Sequence, residues 1–136
     1  MKKILVGTPA HDGRVEVYYV NSLVQTIRYM ESKMYEVHPI FMSYDSLVQR
    51  ARNDLVKIAV EQDYDYLFFI DSDMIWEPQW MEDLINTPVD VISGTARKKT
   101  DNELTFAIKI KSDWENAKRL PTNPDVMEVA GTGMAF

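Results

Sequence analysis

Cysteine is absent from this 136-residue chain, which removes disulfides, zinc–thiolate sites and cysteine nucleophiles from consideration. Histidine is nearly absent too: only His11 and His38 occur, and His11, which follows the first strand, is not assigned as a ligand. Positive charge is in deficit. The net charge of -6 argues against nucleic acid as a bulk electrostatic partner, though a nucleotide held through a metal remains compatible with it. No run of residues approaches the ~20 apolar positions of a membrane-spanning helix. The opening "MKKILV" has lysines followed by an apolar stretch, but that stretch ends at Val6, short of the ~7–15 residues of a signal-peptide core. It reads as a first strand, and the expected location is the cytoplasm. No repeat, low-complexity tract or linker interrupts the chain, and residues 1–136 read as a single domain.

What is present is an alternation of strand and helix patterns. Residues 3–9 form a short buried strand that runs into a Gly/Pro loop. From residue 11 to 32 apolar and small residues recur at helical spacing: Val15, Tyr18, Tyr19, Ser22, Leu23, Thr26, Ile27 and Met30. "YEVHPIFMS" (35–43) is a second strand, in which Pro39 prefers an edge or an irregular pairing. The next helix, capped by Asp45 or Ser46, carries the series Leu47, Val48, Ala51, Leu55, Ile58, Ala59. "YDYLFFI" is a third strand, apolar on both faces and therefore expected to be central and parallel. Pro78 opens a short helix, "PQWMEDLINT", with Glu77 at its positive end. "VDVISG" (89–94) is expected as a fourth strand and "LTFAIKI" (104–110) as a fifth. A short helix in "SDWENAKRL", a turn at "PTNP" and an extended "VMEVAGTGMAF" complete the chain. The order predicts an α/β fold with a mostly parallel central sheet flanked by helices.

Ligands of such sheets gather at the carboxyl ends of the strands. The segment "YLFFIDSDMIWEP" (66–78) drives a buried strand straight into Asp71 and Asp73. Two like charges at the edge of a core repel each other and resist desolvation. Residues i and i+2 of an extended segment face the same way, so one cation can satisfy both. Oxygen donors favour Mg²⁺ or Mn²⁺, ions that also grip phosphate oxygens. The plain alternative is that the pair caps a turn or faces solvent.

Arg52 adds a second anomaly. It shares a helical stripe with Val48 and Val56. A guanidinium among apolar neighbours either has an anionic partner, for which Asp71, Asp73 and a phosphate are the candidates, or snorkels to the helix end. Trp76 and Trp80 flank the acidic pair and either stack on a sugar or base or pack in the core. Arg97 and Lys98, in "ARKK", face a diphosphate or acceptor, or form a solvated loop. Gly131, in "GTG", marks a close backbone approach to a ligand or a tight bend.

Taken together, "ILVGTPA", "SLVQRARNDLV", the D-x-D strand, "DVISGTARKK" and "VMEVAGTGMAF" resemble, in order and spacing, a GT-A fold glycosyltransferase of the family 2-like kind seen in bacteria and bacteriophages. The resemblance implies a nucleotide-binding N-terminal part followed by the start of an acceptor part. It implies a hexosyltransferase that moves a sugar from a nucleotide-sugar donor to a hydroxyl of a glycan, a protein or a nucleic-acid base, with Mn²⁺ or Mg²⁺ as cofactor. By that resemblance Asp73 ligates the metal and Asp71 contacts ribose or assists the metal. Thr8, Pro9 and Asp45 line the nucleoside pocket, Ser72 joins the donor site, and Arg52 lies near the acidic pair or the phosphates. The family's acceptor-side base lies beyond the glycine segment. Here no histidine follows His38 and the sequence given stops at Phe136, so the expectation is a fragment, or a neighbouring chain (a second copy included) covering that edge. Nothing singles out a general base among Asp101, Glu103 and Glu128. The alternatives are a non-catalytic nucleotide-sugar or metal-binding module, a nucleotidyltransferase, and a haloacid-dehalogenase-like phosphatase.

Overall fold

The structure, a computed structural model, describes residues 1–44, 47–95, 108–110 and 118–132. The chain divides into two compact units, Met1–Ile92 and Ser93–Phe136, and each is described by itself.

In the first unit β1 (Lys2–Ala10), α1 (Val17–Ser32), β2 (Tyr35–Ser43), α2 (Val48–Glu61), β3 (Tyr66–Phe69) and α3 (Pro78–Asn86) follow one another. The three strands form a parallel sheet in the order β2-β1-β3. Gly7 is paired with Ile40 on one side and with Phe69 on the other. The alternation of β1 assigns its two faces. Thr8 reaches Tyr19 of α1, whereas a Cβ placed on Gly7 would lie 2.7 Å from Leu55 of α2. Successive residues of a strand point to opposite faces, so α1 and α2 cover opposite sides of the sheet. Ile4, Leu5 and Val6 are fully buried between them. Complete burial of such side chains stabilises the fold by roughly 1.5–3 kcal/mol each.

Helix α1 begins at Val17, later than the periodicity suggests, and buries Tyr19, Ser22, Leu23, Thr26 and Met30 of the expected stripe. Helix α2 begins after Leu47, which provides no side-chain cap; Asp45 and Ser46, the expected caps, lie outside the described residues. Its carboxyl end closes with Asp63 in the left-handed region (φ 53°) and the Tyr64 N–H donating to the Ala59 carbonyl at 3.0 Å, a Schellman-type stop. Met34 plays the matching role after α1, with φ 68°. Helix α3 starts at Pro78, whose missing N–H is harmless at that position, and packs on α1.

Two expectations require correction. Residues 89–94 do not form a strand. The Thr87 carbonyl accepts the Val89 N–H at 2.8 Å across Pro88, a three-residue turn, and Val91 is 91% exposed. Val89 and Val91 thus gain little from burial, and Ile92 is half-buried. Among the described residues β3 is therefore an outer strand of the sheet and β1 the middle one. Its one strand neighbour among them is β1, and all four of its residues are half-buried. Pro39 does sit on an edge strand, paired with Val6.

The second unit contains β4 (Ile108–Ile110) antiparallel to β7 (Val129–Thr132), and β5 (Arg119–Leu120) antiparallel to β6 (Asn123–Met127). Pro121 and Thr122 make the expected turn between β5 and β6. Of the helix expected over 112–120, residues 112–117 lie outside the described residues, and Arg119 and Leu120 are strand.

Candidate functional site

The three loops at the carboxyl end of the parallel sheet converge. After β1, the Gly13 N–H donates to the Ala10 carbonyl at 2.9 Å, and Gly13 adopts φ 73°. A Cβ there would lie 2.8 Å from the Tyr44 ring, so the loop after β2 rests on the loop after β1. Tyr44 itself is 81% exposed and holds φ 61°, an uncommon conformation for an aromatic residue. After β3, the Ser72 carbonyl accepts the Glu16 N–H at 3.0 Å, joining this loop to the start of α1.

The strand geometry assumed for the acidic pair does not persist. The ladder ends with the Ile70 N–H on the Gly7 carbonyl at 3.1 Å, and the Met74 N–H then closes a turn onto the Asp71 carbonyl at 3.1 Å. Asp71, Ser72 and Asp73 therefore lie on a tight turn, all half-buried, and not along one face of an extended strand. Arg52, in the second turn of α2, points at this turn. Its Nη2 is 3.6 Å from Asp71 Oδ1, and its guanidinium lies 5.6 Å from the Phe69 ring centroid. The pair is too long for a direct hydrogen bond. Arg52 Nε is buried and has no hydrogen-bond partner among the described residues. The stripe that Arg52 shares with Val48 and Val56 is not a buried one, since both valines are exposed.

Below the turn lies a buried polar core. Trp76 is 3% exposed and meets Tyr19 edge-on, ring centroids 5.1 Å apart. Its backbone N–H donates to Ser22 Oγ at 3.2 Å and its indole N–H to Thr26 Oγ1 at 2.9 Å. The Tyr19 and Thr8 hydroxyls are hydrogen-bonded to each other, and burial pushes the Tyr19 phenol above its usual pKa against the opposing effect of that bond. This network bears on two expected contacts. Trp76 is a core residue and offers no ring face to an acceptor, whereas Trp80 is exposed. Thr8 is 1% exposed with its hydroxyl committed to Tyr19, which leaves Pro9 as the half-buried residue at the end of β1.

Asp45, Arg97 and Lys98 lie outside the described residues. Gly131 is in β7, paired with Lys109 in the second unit. From spacing alone Ser22 and Thr26 belong to the packing stripe of α1, and their hydroxyl partners are not evident. Two hydroxyls one helical turn apart on a buried stripe were the available signal.

Among the described residues no group of three or more His, Asp or Glu side chains is arranged to hold a metal ion. Two carboxylates on one turn are nonetheless a donor set that fits Mg²⁺ or Mn²⁺, which commonly take one or two protein carboxylates and fill the remaining positions with water and phosphate oxygens.

A family-level sequence model for glycosyl transferase family 2 matches residues 14–135. The chain belongs to that family of glycosyltransferases, and its parallel sheet with flanking helices is the α/β architecture expected for it. No curated protein and no solved structure matched the chain. Membership sets aside the phosphatase and nucleotidyltransferase alternatives. No helix among the described residues is long and apolar enough to cross a membrane.

Proposed function

We propose that the chain is a metal-dependent hexosyltransferase that moves a sugar from a nucleotide-sugar donor to an acceptor hydroxyl, with the donor diphosphate lodged against the turn carrying Asp71 and Asp73. The supporting observation is the position of Arg52. Its ion pair with Asp71 joins side chains that are 36% and 44% exposed, a setting worth no more than about 1 kcal/mol. The ring contact with Phe69 adds a similar ~0.5–1 kcal/mol. The buried, unpartnered Nε costs roughly 1–3 kcal/mol. These contributions approximately cancel, so stability does not account for a guanidinium held there. An incoming diphosphate does, because planar guanidinium donors bind phosphate oxygens well.

In this reading Asp73 and Asp71 hold the Mn²⁺ or Mg²⁺, which when bound supplies positive charge against the departing diphosphate. Arg52 donates hydrogen bonds to the same diphosphate and balances its charge as the bond to the sugar breaks. Ser72 borders the donor, and Pro9 and Asp45 flank the nucleoside. Orientation of the acceptor hydroxyl supplies the rest of the rate.

Calorimetry with UDP, GDP, CDP and their sugars, with and without Mn²⁺, tests the proposal when combined with an assay of donor hydrolysis. The expected result is metal-dependent binding of one nucleoside diphosphate together with slow sugar release. Binding without turnover would indicate a non-catalytic module, and the absence of any binding would overturn the site.

A further inference from the structure

Ser22 and Thr26 stand one turn apart on α1 and are buried, at 5% and 0% exposure. Hydroxyls are poor helix-interior residues and resist burial unless bonded. Both grip the same residue from the loop after β3: Ser22 takes the backbone N–H of Trp76 and Thr26 its indole N–H. The Trp76 N–H precedes α3 and so has no helical carbonyl of its own to bond. On the other side of Asp73, the Glu16 N–H, at the N-cap of α1, holds the Ser72 carbonyl. The acidic turn is thus fastened to one rigid helix both before and after Asp73.

We infer that Ser22 and Thr26 are positioning residues that fix the acidic turn for metal and diphosphate binding, α1 serving as the rail along which the turn is held. This inference rests on the reading of that turn as the donor site. A fold needing only a filled core here would be served as well by alanine, valine and an apolar ring in place of Trp76, a set that brings no buried donor or acceptor requiring a partner. Two hydroxyls trained on one tryptophan instead specify where the following chain leaves the sheet.

The variants Thr26→Val, Thr26→Ser and Ser22→Ala test it. Each is compared with wild type at a temperature well below its own Tm, by amide hydrogen exchange and by calorimetry of UDP with Mn²⁺. In Thr26→Val the Met74 amide, which closes the turn onto Asp71, should exchange about tenfold faster, the factor expected for losing one hydrogen bond. The Kd for UDP with Mn²⁺ should rise about tenfold in parallel. Thr26→Ser, which keeps the hydroxyl, should restore both. A lowered Tm with Met74 exchange unchanged would overturn the inference and leave an ordinary core contact. Should Thr26→Val fail to fold, Ser22→Ala decides by the same two readouts. If wild type binds no nucleoside diphosphate with metal, the donor-site reading fails, and faster exchange at Met74 alone then decides whether the hydroxyls position the turn.

Discussion

Arg52 Nη2 stands 3.6 Å from Asp71 Oδ1, tying the second turn of α2 to the first residue of the turn after β3. An exposed pair at this distance contributes little to folding, so its interest lies in what it leaves available. Arg52→Ala should weaken nucleoside diphosphate binding by about ten- to a hundredfold, the range for a hydrogen bond to a charged group, and leave free nucleoside within about twofold. Titration calorimetry with both ligands measures the difference. Equal losses would assign Arg52 to packing against Phe69.

Gly7 is required by Leu55. A Cβ at Gly7 would meet Leu55 Cδ1 at 2.7 Å and Cδ2 at 3.0 Å. Gly7→Ala should destabilise by about 1–3 kcal/mol through overpacking. Leu55→Ala alone should cost about 2–5 kcal/mol through the cavity it leaves. The double variant should lose less than the sum, because the new methyl occupies part of that cavity. Urea unfolding of the four proteins checks this.

A polar clip holds α3 on α1. The Tyr29 hydroxyl donates to Glu82 Oε2, and Lys33 Nζ lies 3.3 Å from Glu82 Oε1. The Tyr29 bond, followed by Lys33, holds the Glu82 carboxyl below its ordinary pKa. A carboxylate depressed in the folded state stabilises above its unfolded pKa, and that contribution is lost as pH falls through the folded one. Glu82→Gln should therefore flatten the acid limb of the stability profile and leave thermal unfolding near pH 4 closer to its value near pH 7. An unchanged acid limb would contradict the linkage.

Met34 holds φ 68° at 68% exposure, in a conformation that costs a non-glycine residue about 1–2 kcal/mol. Met34→Gly should stabilise the fold by about 0.5–1 kcal/mol, part of the relief being offset by the entropy of glycine in the unfolded chain. Chemical denaturation is sufficient to read it.

The sequence made the first unit legible where one signal dominated. Helical spacing placed α1 and α2, the run from Tyr66 to Ile70 placed β3, and Pro39 marked an edge. The acidic pair after β3, and Arg52 with Asp71 among its candidate partners, were visible because charge beside a core is anomalous. Local pattern failed where a partner decides. Residues 89–94 alternate like a strand, yet Thr87 and Pro88 bend the chain and no ladder forms. The turn at residues 71–74 also escaped notice, because composition does not reveal where pleated geometry stops. Ser22, Thr26 and Trp76 looked like separate residues until tertiary contact joined them.

The most direct measurement is Mn²⁺-dependent binding of a nucleoside diphosphate by wild type and by Asp73→Asn, followed calorimetrically alongside thermal unfolding. The account predicts that the variant keeps its unfolding temperature and loses the metal-dependent part of its affinity. A variant that binds the metal and nucleotide as tightly as wild type would contradict it.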